Sequence, residues 1–209
     1  MTSDTSAATP TALERLDDRG RHIVFTGART VNSFSDQPVT DEELKDIYEL
    51  VKWTPTAANV QPLRVLFVRT PEGKERLLKH MADGNRDKTE GAPVTAVLAY
   101  DTRFHEHVPT VFPINPGMAD ALEANEDMRH GMGNFSAAIG VGAFILATRA
   151  AGLAAGPMAG FDKEALDADF FADGRWKSLL VVNIGHPGAE GAWFDRLPRL
   201  EIEDAVSFA

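Results

Sequence analysis

The amino-acid sequence predicts a single α+β domain in which helices cover a small sheet. Segments patterned as helices and as buried strands are mixed along the chain, without the regular strand–helix–strand alternation of a doubly wound sheet. The chain has 209 residues, 44% of them hydrophobic, which suffices for one domain with a sizeable core. Residues 1–10 are small and polar, so we expect a disordered tail there and one domain over residues 11–209.

Composition and charge exclude several classes of function. A formal net charge of −10 argues against nucleic acid or an anionic membrane as a partner, because phosphate contacts need a basic surface. No run of about 18 apolar residues exists, so we expect no membrane span. The start, Met1 to Asp4, lacks the basic and apolar regions of a secretory signal. With no cysteine there is no disulfide, thiolate nucleophile or cysteine metal site. We therefore expect a cytoplasmic enzyme.

Capping residues and apolar spacing predict three helices in the first half of the chain. They are residues 12–25, ending near Gly27; residues 41–52, with Thr40 and Glu43 as a capping box; and a helix that starts at Thr70-Pro71 and runs to about Met81.

The second half is predicted to hold the core. Apolar runs at 65–68, 94–100 and 179–184 are predicted to be buried strands. The spacing also predicts a long helix over 119–151, with a break near Gly131–Gly133, Gly152 as its C-terminal cap, and a second half so apolar that it should be buried all round. Residues 156–160 are expected to form a tight loop, followed by a short helix capped at Asp162.

Two irregular segments are longer than connectors need to be. Residues 53–62 contain an aromatic residue, two prolines, small residues and two amides, where about two to six residues would complete a turn. An ordinary connector and a wall for a flat ligand both fit this composition. Residues 101–118 carry three prolines and no apolar period, which predicts a lid or substrate loop. His105-Glu106-His107 lies in it without a third ligand at usable spacing, so we favour a solvated or substrate-facing loop over a metal site.

The common catalytic motifs are absent. The sequence has no nucleophile elbow, no phosphate-binding P-loop and no His-Glu-x-x-His zinc motif. The paired glycines at 131/133 and 140/142 lack the third glycine of a dinucleotide fingerprint and lie in or beside a helix. An enzyme without these groups relies on a bound cofactor.

Four separate segments together point to one family. They are R-T-V-N-S-F from Arg29, P-T-A-A-N-V-Q-P from Pro55, P-M-A-G-F-D from Pro157, and N-I-G-H-P from Asn183 followed by R-L-P from Arg196. In this order they resemble the nitroreductase family of FMN-dependent oxidoreductases. The resemblance implies a layered fold, with a central mixed or antiparallel sheet flanked by helices, in a homodimer that holds two FMN molecules at its interface.

The resemblance also implies which residues bind FMN. Arg29 and Arg196 are the expected phosphate ligands, since guanidinium matches phosphate oxygens with two parallel hydrogen bonds; for each, a surface salt bridge is the alternative. Lys88 is expected beside the pyrimidine end of the flavin, unless it is only a solvated helix-end charge. The remaining cofactor-binding residues implied are Thr30, Asn32, Pro55, Thr56, Ala57, Asn59, Asn85, Pro157, Met158, Ala159 and Gly160. No side chain is assigned a catalytic role and no metal is expected, because the flavin supplies the chemistry.

Three positions depart from the general family pattern. Asn32 replaces a second basic residue, so either Asn32 or Arg196 provides the second phosphate contact. Ala159 replaces an acidic residue that is common in members that reduce nitroaromatics. Gly140 stands where relatives often place a glutamine.

Three hypotheses about function remain open. The segments 84–94 and 156–162 look closest to the malonic semialdehyde reductase branch, which implies reduction of that acid to 3-hydroxypropanoate by NADH or NADPH through FMN. Arg103 or Arg129 could then bind the substrate carboxylate. The alternatives are a broad nitro or quinone reductase on the same scaffold, and a flavin-binding protein without turnover. The nicotinamide ring stacks on the flavin and leaves no sequence fingerprint, so the sequence does not choose between the two donors.

Overall fold

The computed structural model describes residues 13–209, and the tail predicted over residues 1–10 lies outside the described residues. At the centre is a four-stranded sheet in which every neighbouring pair is antiparallel, in the order β1-β2-β4-β3. The strands are β1 Leu63–Val68, β2 Val94–Asp101, β3 Ala154–Met158 and β4 Trp176–Gly185. The α+β prediction is confirmed, and the sheet is of the antiparallel kind.

Helices fill the connections between the strands. The α-helices are α1 Asp18–Arg21, α2 Asp41–Val51, α3 Pro71–Leu78, α4 Asp83–Glu90, α5 Val108–Val111, α6 Met118–Ala124, α7 Glu126–Ala150, α8 Lys163–Phe170 and α9 Ile202–Ala205. A π-helical turn, His22–Thr26, follows α1, and 3-10 turns occupy Ala57–Asn59 and Phe104–His107.

The sheet lies between two helical layers, and β2 shows how the sequence produces this. Successive side chains of a strand point to opposite faces. Ala96 and Leu98 belong to the cluster that α2 and α7 cover, whereas Val97 and Ala99 belong to the cluster that α3 and α8 cover. Every residue of β2 is buried. A strand that is covered on both faces needs an unbroken apolar run, which is the pattern the sequence shows.

The predicted caps are confirmed where they depend on neighbouring residues. The backbone N–H of Thr40 donates to Oε2 of Glu43 at 2.7 Å, and the backbone N–H of Glu43 donates to Oγ1 of Thr40 at 3.2 Å. Gly152 has a φ of +83°, and the following Leu153 N–H donates to the carbonyl of Thr148 at 3.0 Å, which is a Schellman ending for α7. Thr70 and Asp162 cap α3 and α8 as expected.

The first helix is shorter than predicted. Residues 13–17 are not helical, and α1 begins only at Asp18. The side chain of Asp17 accepts a hydrogen bond from the backbone N–H of Gly20 at 2.6 Å, so it caps the helix at that point. Leu13 and Leu16 precede the helix and are exposed.

The prediction of a tight loop over residues 156–160 is wrong. Gly156, Pro157 and Met158 belong to strand β3, in register with β4. Proline lacks a backbone donor and is therefore confined to edge strands or bulges. Because β3 is the edge strand of the sheet, Pro157 is tolerated there, and only Ala159 and Gly160 form the loop.

The long apolar stretch is interrupted at Asn125, between α6 and α7, and not near Gly131–Gly133. The Asn125 side chain accepts a hydrogen bond from the Met128 N–H at 3.0 Å and so starts a new helix. Gly133 lies inside α7 for a packing reason, because a Cβ there would stand 2.8 Å from the ring of Phe104.

Helix α7 is not buried all round, so the prediction of a fully buried second half is wrong. One side packs on the sheet and α2, but Phe135 is 68% exposed and Ile139 is 41% exposed on the other. Its length and mean hydropathy of 1.4 would also allow it to cross a membrane, and the core helix of a soluble protein meets the same criteria. Its apolar composition thus serves the core on one side and leaves an exposed apolar face on the other.

The segment over residues 101–118 is more ordered than the term loop suggests. It contains the 3-10 turn at 104–107 and helix α5. Phe104 and Val108 are fully buried and pack with Val60 and Leu122 in a separate small core. The segment is therefore anchored to the domain by its own apolar cluster.

Candidate functional site

A basic cavity lies between the segment of residues 28–32 and the C-terminal segment of residues 194–199. Two arginines tie these segments together. Nη1 of Arg29 donates to the carbonyl of Phe194 at 3.2 Å, and Nη2 of Arg196 donates to the carbonyls of Thr26 and Ala28 at 2.8 and 3.1 Å. The cavity has a volume of about 230 Å³ and is lined by Ala28, Arg29, Thr30, Asn32, Phe194, Asp195, Arg196, Leu197 and Arg199.

Strand β3 holds one wall of this cavity in place. The backbone N–H of Val31 donates to the carbonyl of Ala155 at 3.2 Å, and that of Asn32 donates to the carbonyl of Ala192 at 3.0 Å. Gly156 is required beneath this segment, because a Cβ there would lie 2.9 Å from the carbonyl oxygen of Val31. The segment that presents Arg29, Thr30 and Asn32 is thus fixed to the sheet edge by contacts far apart in sequence.

Positive charge accumulates in the cavity although the whole chain is acidic. Arg29, Arg196 and Arg199 all line it, and within residues 13–209 none of them forms an ion pair with a carboxylate. Burial, and after it the charge of Arg196, lower the pKa of the neighbouring Arg149. Three guanidinium groups against the one carboxylate of Asp195 leave the cavity with net positive charge, which suits an anion with several oxygens, such as a phosphate.

Helix α4 contacts the loop after β3, and these two elements carry the second part of the candidate site. Nδ2 of Asn85 donates to the carbonyl of Gly160 at 2.9 Å, and the N–H of Ala82 donates to the same carbonyl at 3.0 Å. A Cβ on Gly160 would stand 2.6 Å from Nδ2 of Asn85, so only glycine allows this approach. Ala159 and Gly160 are exposed, and Lys88 is half-buried on the same helix as Asn85.

Strand β3 links the two parts of the site. The carbonyl of Ala155 accepts a hydrogen bond from Val31, beside the basic cavity. Ala159 begins the exposed loop that Asn85 contacts. Four residues of strand span about 13 Å. A ligand that bound the arginines of the cavity and also reached this loop would therefore extend over about 13 Å. Pro157 is half-buried and Met158 buried along this path.

The loop of residues 55–59 lies elsewhere in the same chain. The N–H of Ala57 donates to Oγ of Ser136 at 3.4 Å, and Nδ2 of Asn59 donates to the carbonyl of Val111 at 2.8 Å. Thr56 lines a cleft with Ser136 and residues of α2, and no residue of this loop lines the basic cavity. One chain by itself thus does not bring Pro55, Thr56, Ala57 and Asn59 to the arginines.

The same loop has an unusual backbone for which the sequence carries no glycine as a signal. Ala58, Asn59 and Gln61 have φ angles of 48°, 51° and 44°. The left-handed region costs a non-glycine residue about 1–2 kcal/mol. The N–H of Gln61 donates to Oγ1 of Thr56 at 3.2 Å, which closes the loop on itself. A conformation stabilised in this way presents its small residues in one fixed arrangement.

Arg103 and Arg129, the two residues that could bind a substrate carboxylate, both have partners within the chain. Nε of Arg103 donates to Oε1 of Glu106 at 2.7 Å. Nη1 of Arg129 donates to the carbonyls of Leu122 and Glu123 at 2.9 and 3.2 Å, and its side chain is largely buried. Both guanidinium groups serve to hold the segment after β2 and the junction between α6 and α7.

Five residues that line the basic cavity were not predicted as site residues from the sequence: Ala28, Phe194, Asp195, Leu197 and Arg199. Arg199 stands three residues after Arg196, and the repeated arginine in R-L-P-R was the available signal. Phe194 contributes its carbonyl oxygen to Arg29, for which a sequence offers no signal. Within residues 13–209 no group of three or more His, Asp or Glu side chains is arranged to hold a metal ion, and Nε2 of His105 is bound to Glu123.

Comparison with known proteins gives one consistent result. The protein-family model described as "Nitroreductase family" matches residues 26–186 of this sequence. A Streptomyces coelicolor protein with the provisional name NADH dehydrogenase/NAD(P)H nitroreductase is 54% identical over 197 residues, which cover 94% of this chain and 97% of that protein. A Rhodopseudomonas palustris protein with the same provisional name is 47% identical over 190 residues, covering 91% of this chain and 96% of its own.

Solved structures share the fold. A nitroreductase structure from Exiguobacterium sibiricum, described as a complex with FMN, superposes with a TM-score of 0.76 at 20% identity and covers 95% of this chain and 100% of that one. A nitroreductase structure from Bacillus subtilis gives a TM-score of 0.78 at 21% identity and covers 91% of this chain and 99% of its own. The layered fold expected from the sequence is confirmed.

Proposed function

This chain belongs to the nitroreductase family, and on that premise we propose that it is a cytoplasmic, FMN-dependent NAD(P)H oxidoreductase that reduces a small acceptor. The observation that most supports the proposal is the convergence of Arg29, Arg196 and Arg199 on one cavity, joined by β3 to the exposed loop at Ala159. When bound, FMN would take up a hydride from NADH or NADPH and deliver it to the acceptor. The residues of the protein would bind the flavin and the acceptor and orient them toward each other.

The residues of this chain fit the two ends of FMN. A phosphate dianion suits the arginines of the basic cavity, with Thr30 and Asn32 as further donors. Lys88 would stand near the pyrimidine end of the ring, where a fixed ammonium favours the anionic reduced form. Ala159 and Gly160 have no side-chain chemistry, so they would offer backbone N–H groups and allow close approach. Pro157, Met158 and Asn85 would support that loop.

We propose that the functional unit is a homodimer with FMN at the interface. The loop of residues 55–59 lies outside the basic cavity of its own chain, so Pro55, Thr56, Ala57 and Asn59 would reach the flavin bound by a second copy. The exposed apolar face of α7 at Phe135 and the exposed apolar C-terminal segment support an interface of this kind. Each copy would contribute one domain, expected over residues 11–209.

Malonic semialdehyde is the acceptor that we favour. The likeness of segments 84–94 and 156–162 to the malonic semialdehyde reductase branch supports this choice, as does Ala159 in place of an acidic residue. The provisional names of the relatives favour a second candidate, a nitro or quinone reductase of broad specificity.

The proposal is tested first by the cofactor. Purified protein should be yellow, and heating should release FMN and not FAD. Anaerobic mixing with NADH or NADPH should then bleach the bound flavin. A colourless protein that ignores added FMN would contradict the proposal, and a flavin that stays oxidised would indicate a flavin-binding protein without turnover.

The acceptor is tested by comparing steady-state rates. Malonic semialdehyde, nitrofurazone and a quinone are supplied at the same donor concentration, and kcat/KM is compared. We expect the highest value for malonic semialdehyde. Equal or lower turnover of the aldehyde would favour the broad nitro or quinone reductase.

A further inference from the structure

The C-terminal end of α4 is held by side chains from other elements. A helix leaves its last four carbonyl groups without partners within the helix. Nδ2 of Asn183 donates to the carbonyl of Lys88 at 3.0 Å, and Nζ of Lys74 donates to the carbonyls of Thr89 and Ala92 at 2.9 and 2.6 Å. Asn183 belongs to β4 and Lys74 to α3, so tertiary contacts add to the local backbone hydrogen bonds that Gly91 and Ala92 donate at this end.

These side chains form one buried polar chain through Thr95. Nζ of Lys74 donates to Oγ1 of Thr95 at 3.2 Å, and Oγ1 of Thr95 donates to Oδ1 of Asn183 at 2.9 Å. Thr95 and Asn183 face each other in the register of β2 and β4 and are 0% and 1% exposed. Within residues 13–209 Lys74 forms no ion pair, so its ammonium group donates only to the members of this hydrogen-bond network.

Helix α4 buries little apolar surface of its own. It is eight residues long, and Thr89 is its one buried residue. Among residues 13–209 no side chain caps its N-terminus. There, Asn85 and the N–H of Ala82 both donate to the carbonyl of Gly160. The orientation of α4 therefore depends on polar contacts at both ends, and not on apolar burial.

We propose that Lys74, Thr95 and Asn183 are positioning residues, which hold α4 so that Lys88 stands at the pyrimidine end of the flavin and favours its reduced form. This inference rests on the proposed function. Loss of the Thr95 hydroxyl leaves Oδ1 of Asn183 without its donor in a buried place, so Asn183 and the carbonyl of Lys88 lose their fixed geometry. Lys88 then acts on the flavin from a wider range of positions.

The test is the reduction potential of bound FMN in the variant Thr95→Val, which removes the hydroxyl and keeps the shape. We expect the ratio of reduced to oxidised FMN affinity to fall about tenfold, which places the two-electron potential about 30 mV lower. The matched control is Thr148→Val, because Thr148 is equally buried but donates only to the carbonyl of Phe144 in its own helix. Thr148→Val should leave the potential unchanged, and Thr95→Ser should restore it.

A double-mutant cycle separates positioning from general damage. If Thr95 acts through Lys88, the shift caused by Thr95→Val should vanish in the Lys88→Met background. An equal shift in both backgrounds would overturn the inference. Hydrogen exchange in the protein without FMN gives an independent measure: amides of residues 83–90 should exchange faster in Thr95→Val and not in Thr148→Val.

A second variant guards against misfolding of the first. Lys74→Met removes the donor to Thr89 and Ala92 and should lower the potential in the same direction. Its control is Lys79→Met, which removes an exposed ammonium from the end of the same helix. Unmodified protein that binds no FMN would overturn the proposed function and this inference with it. FMN binding with potentials unchanged by Thr95→Val and Lys74→Met would overturn the inference alone.

Discussion

The guanidinium of Arg175 binds the carboxylate of Asp101 through two hydrogen bonds, 3.0 Å from Nε to Oδ1 and 3.1 Å from Nη2 to Oδ2. Arg64 adds a third at 2.8 Å, and Asp101 is 1% exposed at the end of β2. Arg175, which directly precedes β4, also binds Glu106, so this ion network joins β1 and β2 to the start of β4 and to the segment that follows β2.

Replacement of Asp101 should be strongly destabilising. Asp101→Asn leaves Arg64 and Arg175 without their shared carboxylate, and breaking a buried pair typically costs about 3–5 kcal/mol of the free energy of unfolding. Urea denaturation measures this loss. The control, Asp169→Asn, removes an exposed partner of Arg76 and should cost about 1 kcal/mol or less. Equal losses in the two variants would show that the buried Asp101 network contributes no more to the free energy of unfolding than an exposed ion pair does.

The same network predicts a loss of stability in acid. Burial raises the pKa of Asp101, but the Arg175 hydrogen bond, the Arg103 backbone N–H and the charges of Arg64 and Arg175 outweigh it and lower that pKa below its usual value. A carboxyl with a lowered folded pKa stabilises the protein above the unfolded pKa of about 3.9, and this contribution is lost as pH falls through the folded value. The difference in unfolding free energy between wild type and Asp101→Asn should therefore shrink below about pH 4. A constant difference would argue against the lowered pKa.

Lys74 predicts a gain of stability in base. Burial lowers the pKa of Lys74 to about 8, whereas an unfolded lysine titrates near about 10.4. Between these values the unfolded chain binds more protons, so the contribution of Lys74 to stability rises with pH. The unfolding free energy of wild type, relative to that of Lys74→Met, should rise from about pH 8 to about pH 10. A difference that is flat or falls across this window would contradict the lowered pKa.

Arg29 should matter for FMN and not for folding. A charge-assisted hydrogen bond contributes about 1.5–3 kcal/mol, so Arg29→Ala should raise the Kd for FMN roughly 10- to 150-fold. Quenching of FMN fluorescence on binding measures this. Arg69→Ala is the control, because Arg69 is an exposed arginine paired with Asp41 and does not line the basic cavity. An unchanged Kd in Arg29→Ala would remove Arg29 from the phosphate site.

Two glycines of the α7 region should respond to alanine in opposite directions. Gly152 has a φ of +83°, so Gly152→Ala should lower the free energy of unfolding by about 1–2 kcal/mol. Gly131 lies within α7, and a Cβ added there would meet no atom within 4 Å, so Gly131→Ala should raise it by up to about 1 kcal/mol. Thermal or urea unfolding of both variants measures the two changes in unfolding free energy. Changes of the same sign in both variants would contradict the conformations assigned to these glycines.

Much of the local structure could be predicted, because its causes lie within a few residues of one another. Thr40 and Glu43 form both bonds of their capping box inside one helical turn, and Gly152 ends α7 through bonds to the residues just before it. The apolar run of β2 likewise reports a strand that is covered on both faces. The family segments around Arg29 and Arg196 were visible for the same reason, as each is short and contiguous.

The errors arose where a distant element decides the outcome. Pro157 looks like a turn residue by itself, and it lies in a strand because β4 pairs with it and the other edge of β3 is open. Phe135 looks like core by composition, and it is exposed because α7 turns only one side to the sheet. Arg103 and Arg129 bind a glutamate and backbone carbonyls, and the sequence carried no signal for these partners.

The sequence by itself determined the capped helix ends at Thr40, Thr70, Asp162 and Gly152, three of the four strands, and the segments that place the chain in its family. Hydrogen bonds between near neighbours and the period of apolar residues are local properties of the sequence. Only the tertiary structure decided that Val31 binds Ala155, that the basic cavity closes between the segments around Arg29 and Arg196, and that Lys74, Thr95 and Asn183 hold α4. Such contacts join residues far apart in the chain. They form only when the whole fold offsets the entropy lost in bringing these residues together.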